Sequence, residues 1–325
     1  MGMIPWWVKG VRGFVGGLSG HGGIRKGVRV LCYHGVVERK TDPLLERNFL
    51  TLSQFREHLQ LLRRCQVLSM DDFLMEIQRP TKRCGVRVLL TFDDGYANNL
   101  LAAEILHRFN LPWTLFVSTG ALRKDGSLWT TELALLLLYG EATQVELEGT
   151  SWPLCSREKR QQAFQAVRRW MKRLPAPQRR MMLERLRQQF PAEEAKRLLS
   201  RFSSLQMLTW EEICQLASSG VHIGSHGVDH EIHHANQPES VRRWELTASK
   251  EEIEHRLGRP CLAFSYPNGD FCPESGGELR ESGYRLGFTT EPGSVTRDVS
   301  PWYLPRISPR NSLQSLTEDL FWEMP

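Results

Sequence analysis

Short runs of β-branched and aromatic residues alternate along this chain with longer stretches whose apolar positions recur every three to four residues. The first apolar run, Val28 to Tyr33, has the near-continuous character of a strand covered on both faces, which points to a parallel sheet. Ser53 then stands as the cap of a helix carrying Phe55, Leu59 and Leu62, and Ser69 as the cap of a second carrying Phe73, Leu74 and Ile77 before Pro80. Val86 to Phe92 is the strongest strand. It runs into Asp93-Asp94-Gly95 and then a helix through Leu100, Leu101, Ile105, Leu106 and Phe109. Further strands are predicted at Thr114 to Ser118, Val221 to Gly224, Leu262 to Tyr266 and Tyr284 to Phe288. Helices follow over Thr209 to Ser218, where Thr209-Trp210-Glu211-Glu212 forms a capping box, and over Glu239 to Leu257, which Gly258 terminates.

Seven strand candidates alternating with helices predict an α/β fold: a (β/α) barrel, distorted, seven-stranded and incompletely closed. One section departs from the rhythm. After Val145 to Leu147, the segment at about 130–207 has almost no strand signal and reads as a helical insertion. Between Arg157 and Arg201, fourteen basic side chains face four acidic ones, a surplus of ten positive charges against five for the whole chain. No aromatic stacking pattern is interleaved with them, so nucleic acid is not the favoured partner; an anionic lipid, a phosphate-bearing substrate and a plain solvated surface stay open. The expected organisation is a leader at 1–27 and one domain at 28–325 carrying the insertion.

At 325 residues, with 41 % hydrophobic and 24 % charged positions, the chain has the composition of a globular protein with an ample core. Seven scattered cysteines without a CxxC pair suggest neither a disulfide framework nor a cysteine metal site, and favour a reducing compartment. The leader combines Trp6, Trp7, Phe14 and Leu18 with Lys9, Arg12, Arg25 and Lys26. It is too short and too polar to span a bilayer, and its tryptophans precede its charges, unlike a cleaved signal. Interfacial membrane contact and an unattached leader are the two readings left, and the expected location is cytoplasmic, with peripheral contact at the inner membrane surface.

Two constellations carry chemistry. Adjacent carboxylates at Asp93 and Asp94, directly after a buried strand, are costly unless a cation relieves them. A helix cap explains one of them and not both. The second is Ile223-Gly224-Ser225-His226-Gly227-Val228-Asp229-His230, again after a strand. Imidazoles at i and i+4 meet one metal ion when the backbone forms a single helical turn, and a carboxylate from another strand end completes a three-ligand set.

With these residues the sequence resembles the polysaccharide deacetylases that share the NodB-homology domain, carbohydrate esterase family 4. Thr91-Phe92-Asp93-Asp94-Gly95 matches the first family motif intact. His226 to His230 matches the second, His-(Ser/Thr)-x-x-His, except that Gly227 replaces the hydroxyl residue. The resemblance implies metal-dependent hydrolysis of the N-acetyl or other N-acyl group of an amino sugar, in a polysaccharide such as an exopolysaccharide or in a lipid-linked glycan precursor. It implies Asp93 as general base, and Asp94, His226 and His230 as ligands of one divalent metal, with zinc the default for that ligand set. Phe264-Ser265-Tyr266-Pro267-Asn268-Gly269 is similar to the third motif, whose backbone helps hold the oxyanion, so Tyr266, Pro267, Asn268 and Gly269 are the implied substrate-side residues. Ser265 stands where that motif has Arg, leaving Arg259 and Arg306 as substitutes. The late Leu-x-His is also absent, with Pro305-Arg306-Ile307-Ser308 in its place, and His34, at the end of the first strand, is the replacement general acid. Two rivals are a non-catalytic carbohydrate-binding module of the same fold and a zinc metallopeptidase using His230-Glu231-x-x-His234. The second needs a sustained helix there and leaves Asp93-Asp94 unexplained.

Overall fold

The computed structural model describes residues 27–79, 85–123, 125–309 and 312–321, so the expectations for the leader at 1–26 lie outside the described residues. In chain order the elements are β1 (Val28–Tyr33), β2 (Gly35–Val37), β3 (Phe49–Thr51), α1 (Leu52–Leu62), β4 (Gln66–Leu68), α2 (Met70–Gln78), β5 (Arg87–Phe92), α3 (Asn99–Arg108) and β6 (Thr114–Val117). Then come α4 (Trp129–Tyr139), β7 (Gln144–Leu147), β8 (Thr150–Pro153), α5 (Arg157–Met171), α6 (Ala176–Arg187), α7 (Glu194–Arg201), α8 (Trp210–Ser218) and β9 (His222–Ser225). The chain continues through α9 (Glu239–Leu257), β10 (Ala263–Ser265), α10 (Ser275–Glu281), β11 (Leu286–Phe288) and α11 (Leu313–Phe321).

Seven parallel strands form the main sheet, ordered β1-β5-β6-β9-β10-β11, with β4 also paired to β5. β1 runs along the full length of β5, from Val28 opposite Arg87 to Tyr33 opposite Phe92. The other side of β5 is shared: Gln66 to Leu68 pair with its first half, and Thr114 and Leu115 with Thr91 and Phe92. The sheet curls into a barrel that is not fully closed. Between β11 and β1 runs the extended segment Leu304 to Ile307, with Val295 bridging the start of β1 at Val28: Leu304 N–H donates to Gly287 O at 2.7 Å, and Ile307 N–H to Val30 O at 2.7 Å. Because the strands are parallel, the loops after β1, β5, β9 and β10 open on one face, the arrangement that gathers side chains from distant sequence positions.

The apolar faces of α1 (Phe55, Leu59, Leu62), α8 (Ile213, Leu216) and α9 (Leu246, Ile253) pack on β1, β5 and β6 in one core. A second core belongs to the segment at 130–207, where Leu133 and Leu137 of α4 meet Val145, Val167, Met171 and Leu186. α4 is apolar on nearly all sides, as expected of a helix surrounded by protein. The section also holds a hairpin that the periodicity missed. Thr150–Pro153 returns antiparallel on Gln144–Leu147 through Glu148 and Gly149, both at positive φ. α1 begins two residues earlier than its pattern suggests. Thr51 is the cap, accepting the Gln54 N–H at 3.3 Å while Gln54 Oε1 accepts the Thr51 N–H at 2.9 Å. Ser69 and Thr209 cap α2 and α8 as expected, each with a reciprocal box, and Gly258 ends α9 at φ 65°. Cys261 and Cys272 are buried free thiols. Among the described residues, no helix is long and apolar enough to cross a membrane.

Candidate active site

Phe92, the last residue of β5, is fully buried, and the chain turns immediately through Asp94 (φ 78°) and Gly95 (φ 91°). That turn sends the two carboxylates in different directions. Neither caps α3, whose cap position is Asn98 and makes no side-chain capping bond. Asp93 faces the barrel interior and meets Arg306, whose two terminal nitrogens donate to its two oxygens at 2.8 and 2.6 Å. Such a fork-on-fork pair is the strongest geometry a carboxylate finds in a protein. Every other N–H of Arg306 is used: one on Thr91 Oγ1 (3.2 Å), one on Ser265 Oγ (2.8 Å) and Nε on Thr289 O (2.8 Å). Ser265 in turn donates to Asp93 Oδ2 at 3.1 Å. Arg306 reaches this place because its segment fills the gap between β11 and β1. Arg259 instead donates to the Ala217 and Val221 carbonyls, so of the two substitutes only Arg306 meets Asp93.

Burial pushes the Asp93 carboxyl up, and Arg306 and His226 more than offset it, leaving Asp93 at about 2, an ionised base in any neutral solution. Burial likewise acts first on Asp94, yet the two imidazoles beside it hold Asp94 well below the carboxylate range.

Asp94 Oδ1 lies 3.3 Å from His226 Nε2 and 3.4 Å from His230 Nε2. One ligand atom from each of the three falls within 4.8 Å of the others, and all three residues are buried. The His pair does not converge through a helical turn. It does so through a loop in which Gly227 (φ 80°) and His230 (φ 56°) are both left-handed. Glu245 of α9 shapes that loop, accepting the Val228 N–H at 2.7 Å and the Asp229 N–H at 3.1 Å. A Cβ on residue 227 would lie 2.4 Å from Glu245 Oε2, which accounts for glycine at that motif position. Burial and neighbouring Asp229 raise the Glu245 carboxyl to about 8.

A metal ion fits this donor set. His226 Nδ1 is 2.7 Å from the Ser265 carbonyl, which fixes the proton on Nδ1 and leaves a bare Nε2 facing a carboxylate oxygen. Two lone pairs in that relation repel unless a proton or a cation lies between them, and one carboxylate with two imidazoles is a transition-metal set with room for further ligands.

His34 is partly exposed, beside the same face. One of its ring nitrogens lies within 4.8 Å of the Asp93 carboxylate and the Cys32 thiol, and among the described residues its ring makes no hydrogen bond. His34, Asp94, His226, His230 and Asn268 all line one cavity of about 590 Å3, a size usual for a ligand pocket. Tyr266, Pro267 and Gly269 do not line it. The Tyr266 N–H is spent on Phe288 O and the Gly269 N–H on Tyr266 O, so these residues build the turn that presents Asn268, itself at φ 63°. The residues 230–234 are not helical; Glu231 pairs with Arg179 and Arg180, and the His233 ring lies between Phe264 and Tyr266, which removes the metallopeptidase arrangement. Arg306 was one of the two substitutes that the sequence offered for the motif Arg; Glu245 is the residue of this arrangement that the sequence did not single out, and a lone Glu on the apolar face of a helix was the only signal for it.

The sequence model of the family described as polysaccharide deacetylase matches residues 81–287. Over 100 residues the chain is 31 % identical to YxkH of Bacillus subtilis strain 168, named as a candidate polysaccharide deacetylase; the match takes in 31 % of this chain and 36 % of that protein, so the chain spans about a third of that relative's length. Among solved structures, it is similar in fold to the deacetylase PplD of Streptococcus pyogenes, determined with acetate (17 % identity, TM-score 0.56, 87 % of this chain and 92 % of that one). It is also similar to IcaB of Ammonifex degensii (18 %, TM-score 0.55, 87 % and 92 %).

Proposed function

This chain belongs to the polysaccharide deacetylase family, a family of hydrolases of carbon–nitrogen bonds other than peptide bonds, and on that premise we propose that it removes the N-acetyl group of an amino sugar. The observation that carries the reading is the pairing of Asp93 with Arg306 directly beside the Asp94–His226–His230 set. A carbohydrate-binding module needs no base locked next to a metal site. The absence of the usual motif Arg, which favoured that alternative, is compensated by Arg306.

Asp94, His226 and His230 would hold the ion, zinc by preference for the donor set. Bound there, a divalent cation supplies a Lewis acid that polarises the acyl carbonyl and acidifies the attacking water, which is what a base as weak as Asp93 requires. Asp93 accepts the proton of the water as its oxygen bonds to the acyl carbon. Arg306 and Ser265 fix the carboxylate so that no reorientation precedes the transfer. The N–H groups of Tyr266 and Gly269 are spent elsewhere, which leaves that of Asn268, a residue lining the cavity, to meet the oxyanion. His34 gives a ring proton to the sugar nitrogen as the carbon–nitrogen bond breaks, releasing acetate and a free amine.

The glycan we propose is an exopolysaccharide or a lipid-linked precursor, acted on in the cytoplasm at the inner membrane surface, with the Trp-rich leader in contact with lipid. Co-flotation of the protein with anionic vesicles, lost on deleting residues 1–26, supports that location, and recovery only in lipid-free fractions refutes it. The activity itself is tested by acetate release from N-acetylated amino-sugar oligomers. Asp93→Asn should retain metal and lose turnover, whereas His226→Ala should lose both. Bound metal without release from a broad substrate panel would favour the binding module.

A further inference from the structure

Of the fourteen basic residues in 157–201, eight have no carboxylate within ion-pair distance among the described residues, and two of these eight line the candidate site. The remaining six of the fourteen, Arg179 and Arg187 among them, have carboxylate partners. The two at the site are Arg168 and Lys172. They lie one turn apart at the end of α5, on the same stripe as Phe164, and all three line the 590 Å3 cavity that holds the candidate active site. Arg47, from the loop before β3, lines it as well. Among the described residues none of these three cations has a carboxylate within ion-pair distance, and the only acid lining the cavity is Asp94, which belongs to the metal set.

Cations in the last turn of a helix are favoured by its dipole, and that alone would account for basic residues there. It does not account for Arg47, which belongs to another element, nor for the convergence of like charges on one cavity. Lys172 is half-buried and donates to the Asn268 side chain, which places an ammonium beside the proposed oxyanion position. Burial, Arg168 and Arg47 together lower Lys172 to about 8, and burial and Arg47 lower Arg168 too, so the three groups feel one another. Asp270, exposed and bonded to Asn268 Nδ2, offsets part of the charge on Lys172 and none of that on Arg47.

We propose that Arg47, Arg168 and Lys172 form an oxyanion subsite, and that the amino sugar deacylated here carries a phosphate or carboxylate next to the reacting unit. The proposal rests on the deacetylase reading for the identity of the neighbouring sugar, and on the cavity alone for the anion. Neutral glycans would leave three mutually repelling cations, two of them half-buried and Arg47 exposed, unneutralised in the wall of the site; an anionic one neutralises them and is drawn in by the same field.

The test uses hexoses without an N-acyl group, which cannot be turned over. Glucose 1-phosphate, glucuronate and methyl glucoside are titrated into the metal-loaded wild-type protein by calorimetry at low and high salt. One or both charged sugars should bind at least about tenfold more tightly than the neutral one, with the margin shrinking as salt rises. The Arg168→Gln/Lys172→Gln protein should lose that margin and Arg168→Lys should keep it. A phosphate preference alone identifies a sugar phosphate, and a glucuronate preference identifies a uronate. Equal binding of charged and neutral sugars, no binding of any at millimolar concentration, or a preference surviving the double substitution and therefore due to the metal, overturns the subsite. Acetate release by the wild-type protein from acylated oligomers is scored separately. Its absence beside an intact anion preference counts against the deacetylase reading and leaves the subsite standing.

Discussion

Replacing Arg306 by Met tests the central pair through stability as well as activity. Asp93 and Arg306 are 2 % and 1 % exposed. Breaking a buried ion pair from one side costs about 3–5 kcal/mol, because the remaining charge keeps its desolvation penalty without its partner. The pH dependence gives the sharper criterion. In the native protein Asp93 sits at about 2, below its ordinary 3.8, so it contributes roughly 2.5 kcal/mol that is fully present above pH 3.8 and is lost as the pH falls through 2. Without Arg306, burial is the leading influence on Asp93, and the carboxyl moves above 3.8. The sign then reverses. A raised native carboxyl is most favourable below 3.8 and loses ground as the pH climbs through its new value. The difference in unfolding free energy between wild type and Arg306→Met should therefore widen from pH 4 to pH 7, and acetate release should fall at least about 100-fold. Urea unfolding at several pH values, with metal concentration held fixed, measures the first quantity. A destabilisation that is equal at pH 4 and pH 7 would refute the account of Asp93, as would a variant with undiminished turnover.

Gly227→Ala introduces a Cβ 2.4 Å from Glu245 at φ 80°, and should cost about 1–3 kcal/mol and weaken metal binding, read by urea unfolding and zinc titration. Asp94→Asn should lower zinc affinity by more than about 100-fold with the fold intact by circular dichroism. His34→Gln should reduce kcat on an N-acetyl sugar by about 100-fold or more, yet spare hydrolysis of an aryl acetate, whose leaving group needs no proton; equal losses on both would remove His34 as the acid. Burial lowers His58 and His222 to about 4. Depressed histidines stabilise the native state above pH 6.5 and progressively less as the pH falls towards 4, so unfolding free energy should drop across that window, and His58→Gln should flatten the drop.

The parts of the site that lie within one β-loop-α unit were legible in the sequence. Asp93-Asp94-Gly95 after a buried strand, and His226 with His230 after another, announce themselves through local cost: charged or polar groups set where burial penalises them. The barrel was readable for a similar reason, since each strand and helix declares its own period. What required the structure is what depends on closure. Arg306 and Arg259 are equivalent in the sequence, and only the passage of Leu304 to Ile307 between β11 and β1 brings the former to Asp93, 213 positions away. The helical turn expected at His226 to His230 failed because Glu245, on a different element, offers the loop N–H groups a better acceptor than the helix would. Thr51 was passed over as a cap because it also ends a strand. The basic segment showed its charge but not its orientation, and it is the orientation that separates Arg168 and Lys172 from their neutralised neighbours.

The segment that seals the gap beside β1 also sets an order of events on the ribosome. Asp93, Asp94 and both histidines emerge long before Arg306, and contacts spanning such distances form late. Until residue 306 has left the exit tunnel and docked, Asp93 has burial against it and no guanidinium to counter it, so it is held protonated or kept out of the barrel. On the proposed chemistry, the nascent chain is thus silent towards its own substrate until this segment has been made, and competence arrives in the same step that completes the wall.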